Sequence, residues 1–132
     1  MQVEVGQEVA VVGRTQKSVG WHVVRVTPSG QIVVKKGETE RRFNAKGNAV
    51  GDYWTCLSTD VEKVKTEIRA ARAKSAAVIA MNQIEDAVQK HRFGDLDKME
   101  AGLVLVAEQL ALARAALENA RAAHAALAAV AP

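Results

Sequence analysis

The sequence lacks most of the features from which secreted and membrane-spanning proteins are built. Cys56 is the single cysteine, so no disulfide can form within the chain. No run of about twenty apolar residues occurs, and a transmembrane helix is therefore not predicted. The first residues also lack the basic start and the apolar stretch of a signal peptide. We therefore expect a cytoplasmic protein.

A recognisable catalytic or metal-binding pattern is missing as well. His22, His91 and His124 fall in three separate segments, and none has a cysteine or an aspartate at metal-ligand spacing. The glycines are not followed by the Gly-Lys-Ser/Thr sequence of a phosphate-binding loop. We expect that the protein is not an enzyme and that it binds neither a metal nor a cofactor.

The amino-acid composition changes abruptly near Leu57. Valine, glycine, threonine and aromatic residues dominate before this point, and alanine dominates after it. β-branched and aromatic residues favour strands, whereas alanine favours helices. The change predicts an α+β protein with two domains, residues 1–57 and residues 58–132.

Short apolar segments separated by turn residues predict five strands in the first domain. Between the second and third strands, Thr27–Gly30 has proline and glycine where a type I turn needs them. Five short strands at this spacing predict a small β-barrel, either SH3-like, which we favour, or of the OB type. The predicted strands are Glu8–Val12, Trp21–Thr27, Gln31–Lys36, Thr39–Asn44 and Asp52–Leu57.

The second domain is predicted to form a long antiparallel helical hairpin. Thr59 and Glu62 have the spacing of a capping box at the start of the first helix. Gly94 ends this helix, and Asp95 can cap the second one. The break between the helices is too short for anything but an antiparallel arrangement.

The second helix carries apolar residues at alternating steps of four and three, which is the spacing of a heptad seam. We expect Leu110 and Leu117 on this seam to be buried, and Arg114 between them to face outward. The predicted seam consists of Met99, Leu103, Val106, Leu110, Ala113, Leu117, Ala120, His124 and Leu127.

The segment Gly102–Ala107 is apolar on every face of this helix. A helix that is apolar all round is buried all round, and one neighbouring helix cannot cover it. Either the barrel folds back onto it or a second copy of the protein covers it. We expect a homo-oligomer, most simply a dimer, formed through the hairpins. The expected interface residues are Leu103, Val104, Leu105, Val106, Leu110 and Leu117.

Basic residues give the first domain the whole formal excess of positive charge, +3, while the second domain is neutral. Strand alternation directs Phe43 inward and Arg42 outward, near Lys35 across the hairpin. Basic side chains beside aromatic rings suit single-stranded nucleic acid, although a solvated basic surface over an aromatic core gives the same pattern. The candidate nucleic-acid-binding residues are Lys35, Arg42, Lys46, Trp21 and Trp54.

The first domain has a characteristic order of short segments: Val5–Val9, Trp21–Thr27, Gln31–Val34 and Arg41–Asn44, followed by Gly47 and Gly51. In this order it resembles small phage-encoded proteins that contain an SH3-like barrel. The resemblance implies a phage accessory protein, and hence the host cytoplasm, but it implies no reaction and no site residue.

These observations predict a non-enzymatic binding protein whose barrel binds nucleic acid and whose hairpin mediates oligomerisation. One alternative is a module that binds or inhibits a host protein. Another is a structural component of a virion, assembled through its helices.

Overall fold

The computed structural model describes residues 1–130, which form a five-stranded sheet followed by two long helices. The α+β class predicted from the composition is therefore confirmed. Two compact units are present, Met1–Lys65 and a second that begins at Thr66. The elements are β1 (Glu8–Val12), β2 (Lys17–Val26), β3 (Ile32–Lys36), β4 (Thr39–Phe43), β5 (Cys56–Ser58), α1 (Val61–His91) and α2 (Leu96–Val130).

The sheet is antiparallel, with the strand order β4-β3-β2-β1-β5. Irregularities in the register occur at β1 and β2, and such bulges bend the strands. Two isolated bridges, Phe43 with Ala49 and Asn48 with Cys56, connect the loop after β4 to the ends of both edge strands. The sheet is therefore curled into a half-barrel.

Most of the predicted strands are found within a few residues of their predicted bounds. The turn Thr27–Gly30 is confirmed, because the Gly30 N–H donates to the Thr27 carbonyl over 2.9 Å. Gly30 has a φ of +88°, which glycine adopts without strain. The fifth strand is shorter than predicted, because Asp52 binds the Trp54 N–H and the Thr55 hydroxyl and so holds this segment as a loop.

One hydrophobic core lies on the inner face of the curled sheet and takes side chains from all five strands. The alternation predicted for β4 is confirmed, since Phe43 is fully buried and Arg42 is exposed. Burying a side chain of this size contributes about 1.5–3 kcal/mol. The core consists of Val9, Val11, Trp21, Val23, Ile32, Val34, Phe43 and Leu57.

Both helices begin at an aspartate cap. Asp95 accepts a hydrogen bond from the Lys98 N–H over 2.8 Å, as predicted. The first helix is capped by Asp60, whose carboxylate accepts from the Lys63 N–H over 3.1 Å. The prediction of Thr59 as the cap was wrong by one residue, because the aspartate that follows it offers the stronger acceptor. No helix within residues 1–130 is long and apolar enough to cross a membrane.

The fully buried positions of the helical hairpin form a stripe of small residues, whereas larger side chains such as Ile84 and Leu105 are half-buried or exposed. Between Thr66 and Val130, no residue larger than alanine is fully buried. At one end of this stripe, a β-carbon added at Gly102 would collide with His91, so the two backbones approach closely there. The buried residues of the hairpin are Ala70, Ala73, Ala77, Ala80, Ala87, Gly102, Ala113 and Ala120.

On the predicted α2 seam, Ala113 and Ala120 are buried, but the burial predicted for Leu110 and Leu117 was wrong. Leu103 is 71% exposed, and Leu110 and Leu117 are also exposed, whereas the outward position predicted for Arg114 is confirmed. Two helices can approach most closely where both carry alanine or glycine. The helix is therefore turned so that its small residues face α1, and the leucines lie on the flank of the contact.

Gln109 lies among the small residues of α2 and has a buried side-chain oxygen without a hydrogen-bond partner. A buried and unpaired polar atom costs about 1–3 kcal/mol. This unpaired oxygen therefore lowers the stability of the hairpin, whose fully buried residues between Thr66 and Val130 are all alanine or glycine.

Candidate functional site

Two neighbouring aromatic side chains in the loop before β5 lie largely in solvent. Tyr53 is 92% exposed and Trp54 is 62% exposed. Their ring centroids are 5.5 Å apart, and the rings meet edge to face at 80°. This arrangement leaves ring faces free for a further planar group to stack on.

A basic side chain adjoins the larger of these rings. The guanidinium carbon of Arg14, in the connection between β1 and β2, lies 5.1 Å from the centroid of the Trp54 ring. This distance is within the range of a cation–π interaction. Arg14, Tyr53 and Trp54 together form the aromatic platform, which combines two stacking surfaces with one positive charge.

Asp52 holds the loop that carries this platform. Its carboxylate accepts hydrogen bonds from the Thr55 hydroxyl over 2.6 Å and from the Trp54 N–H over 3.1 Å. It also lies 3.6 Å from the Arg41 guanidinium. The Thr55 hydrogen bond first, and then the Trp54 N–H and Arg41, lower the pKa of Asp52 below its ordinary value. The carboxylate therefore stays ionised at neutral pH and keeps the loop in place.

The platform borders an open cleft of about 430 Å³, a size typical of ligand sites. Trp21 lines the cleft but is only 7% exposed, and its Nε1–H donates to the Ser18 hydroxyl over 3.0 Å. Arg41 also lines the cleft, where Asp52 pairs with its charge. Arg14 is thus the base that supplies positive charge beside the exposed rings.

The sheet distributes the five candidate residues predicted from the sequence over different surfaces. Trp21 and Trp54 both line the cleft. Arg42 and Lys35 point to the outer face, since Arg42 pairs with Val33 and Lys35 lies two residues further along β3. Lys46 lies in the loop after β4, where its N–H donates to the Asn44 side chain. The basic and aromatic candidates therefore do not form one continuous site.

The two arginines of the cleft, Arg14 and Arg41, were not predicted as site residues from the sequence. Arg14 follows Gly13 in a short connection, and nothing in its neighbours in sequence indicates that it meets Trp54. Arg41 has the same alternation signal as Arg42, but on the face that was assigned to the core. Both contacts depend on which loops the curled sheet brings together.

Within residues 1–130, no three side chains of histidine, cysteine, aspartate or glutamate are grouped so that they could hold a metal ion. No protein family, curated protein or solved structure matches the chain significantly. The case for a function therefore depends on the geometry and chemistry of the platform.

Proposed function

We propose that the sheet unit is an SH3-like barrel that binds single-stranded nucleic acid on the aromatic platform. The observation that carries this proposal is the exposure of Tyr53 and Trp54 side by side, with Arg14 against the Trp54 ring. Every nucleobase has a flat face, so a pair of exposed rings accepts single strands with little dependence on sequence.

The charges of the unit favour the same ligand. Asp52 offsets Arg41, so Arg14 is left to contact a phosphate of a strand whose base stacks on Trp54. The net positive charge of the chain comes from this part of the sequence and steers polyanions towards it. Stacking on one ring contributes about 1–3 kcal/mol per base, and each phosphate contact adds a salt-dependent contribution.

The stacking step is tested with a short fluorescein-labelled oligonucleotide, DNA or RNA, whose anisotropy is measured at low salt. We expect Trp54→Ala to raise the dissociation constant by about 5- to 150-fold, which corresponds to the loss of one stacked base. Phe93→Ala is the matched control. Phe93 is also exposed and has an arginine, Arg92, 4.4 Å from its ring, but it lies in the other unit. Equal losses in both variants would contradict the proposal.

The charge contribution is tested separately. Arg14→Glu is expected to weaken binding and to reduce the slope of log affinity against log salt by about 0.7. The double variant Arg42→Glu/Lys46→Glu changes the outer face and the following loop instead. If this double variant abolishes binding while Arg14→Glu and Trp54→Ala leave it intact, the platform is not the site.

A protein partner is the alternative that this experiment also addresses. Tyrosine, tryptophan and arginine are enriched at the centres of protein interfaces, so the same platform could anchor a host protein. Absence of binding to DNA and RNA at low salt would reject the nucleic-acid proposal. A stoichiometric protein partner that Trp54→Ala releases would then assign the platform to protein recognition.

A further inference from the structure

One row of larger apolar side chains lies on one flank of the contact between the helices of the hairpin. On α2, Met99, Leu103, Val106 and Leu110 follow one another at steps of four, three and four. These positions are turned by roughly 40–100° from Gly102, which faces α1. On α1, Met81 and Val88 occupy the corresponding flank, so both helices contribute to one apolar face.

A groove at the end of the hairpin shows that the two flanks adjoin. Val88 of α1 and Met99, Leu103 and Val106 of α2 line it together, with a volume of about 160 Å³. Its lining is completed by Ala87, His91, Arg92 and the buried Gly102. Four apolar side chains around a glycine form a hole of the kind that receives one side chain of a facing helix.

Between Thr66 and Val130, the hairpin buries no larger side chain completely, although Ile84, Leu105 and Leu127 are half-buried. Its fully buried residues between Thr66 and Val130 are all alanine or glycine. A two-helix layer normally buries its apolar face against a further layer. In the single chain, the apolar face that includes Leu103 and Leu110 is exposed.

The size of this face is sufficient for a dimer. From Met99 to Leu117 the face extends about 27 Å along the helix, at 1.5 Å per residue. Two helices side by side are about 20 Å wide, which gives about 540 Å² for one copy and about 1,100 Å² for two. A specific interface buries at least about 1,000 Å² in total.

The chemistry of the face favours a second copy of the same chain. From Met99 to Leu117, the positions of the face on α2 hold only methionine, leucine, valine and alanine. The α2 part of the face therefore has no charge that would select an oppositely charged partner, and an apolar surface is complementary to a copy of itself. Glu85 and Arg92 follow Met81 and Val88 by four residues and border the face, as polar residues border most interfaces.

We infer that two copies of the chain associate through this face and form an antiparallel four-helix bundle. The apolar face is defined by Met81, Val88, Met99, Leu103, Val106, Leu110 and Leu117. The inference is independent of the ligand proposed for the sheet unit. It places Leu103 and Leu110 in the interface. Val104 was also predicted from the sequence as an interface residue. It lies about 200° around the helix from Gly102 and so points away from the contact.

The test is light scattering on the full-length protein behind a sizing column, at tens of micromolar. We expect twice the 14.1 kDa mass of one chain. Leu103→Glu is expected to reduce the mass to that of one chain. Leu103 is exposed in the single chain, so circular dichroism is expected to show that the monomeric variant stays helical.

Two matched controls place the same charge on the other sides of α2. Val104→Glu changes the neighbouring exposed residue that points away from α1, and Leu112→Glu changes an exposed residue on the opposite flank. Both variants are expected to remain dimeric. A monomeric wild-type protein at these concentrations overturns the inference. So does a Leu103→Glu variant that stays associated, or dissociation by all three substitutions alike.

Discussion

At the scale of single residues, Gly102 determines how closely the two helices approach. A β-carbon at this position would overlap His91 Cβ and lie 2.8 Å from its Cγ, and the imidazole is itself held by a 2.8 Å hydrogen bond to the Ala87 carbonyl. We expect Gly102→Ala to lower the free energy of unfolding by up to about 2 kcal/mol, because overpacking costs about 1–3 kcal/mol and the helix propensity of alanine offsets about 1 kcal/mol of this. Thermal or urea unfolding followed by circular dichroism measures this change.

Whether Gly102→Ala lowers or raises the stability tests the close contact of the helices at Gly102. Alanine in a helix interior is normally more favourable than glycine by about 1 kcal/mol. A variant that is more stable than the wild type would therefore show that the helices do not meet at Gly102.

At the scale of elements, α1 has a stripe of buried alanines. Ala77 lies in this stripe, whereas Ala76 beside it is exposed. We expect Ala77→Leu to destabilise the hairpin by about 1–3 kcal/mol, since it forces the helices apart. The matched variant Ala76→Leu adds the same side chain to a solvated face and is expected to change stability by less than about 0.5 kcal/mol.

Chemical unfolding of both leucine variants, followed at the helical circular dichroism band, compares them directly. Similar midpoints for Ala77→Leu and Ala76→Leu would mean that the small-residue stripe is not the contact between α1 and α2. A stability loss in Ala76→Leu alone would place the contact on the adjacent face.

At the scale of the whole molecule, two spectroscopic signals report on the two units separately. Both tryptophans, Trp21 and Trp54, lie in the unit Met1–Lys65, and the helical signal comes mainly from the 31 residues of α1 and the 35 of α2. If the hairpin dimerises, a tenfold rise in protein concentration stabilises it by about 1.4 kcal/mol. We expect the helical melting midpoint to rise by about 5 °C and the tryptophan midpoint to stay constant.

Midpoints that are independent of concentration for both signals would argue against a dimer through α2. A tryptophan midpoint that rises together with the helical one would show that the sheet unit unfolds only with the hairpin. Leu103→Glu is the control, because its helical midpoint is expected to lose the concentration dependence.

Local signals in the sequence determined most of the element pattern. A short apolar segment between Gly6 and Gly13 predicted β1. Alternation predicted the inward direction of Phe43, and turn residues predicted Thr27–Gly30. Asp95 was recognised as a cap because capping depends on neighbours along the chain. The α+β class and the order of sheet and hairpin followed from composition alone.

The packing of the hairpin was decided only by the tertiary structure. Both the leucine stripe and the alanine stripe of α2 have helical spacing, and periodicity cannot tell which of them faces α1. Close approach of two backbones at Gly102 selected the small residues and left Leu103 and Leu110 exposed. Side-chain size across a contact is a property of two elements, which one helix does not carry in its own sequence.

For the candidate site too, the sequence determined one part and the tertiary structure another. The sequence by itself determined that Trp54 is one of few aromatic residues in the chain and that the sheet unit carries the positive charge. Only the curled sheet decided that Trp21 becomes a core residue. It also decided that Arg14, forty residues before Trp54 in the chain, meets the Trp54 ring. A stacking contact between two loops depends on the closure of the strands between them, because the loops share no neighbours along the chain.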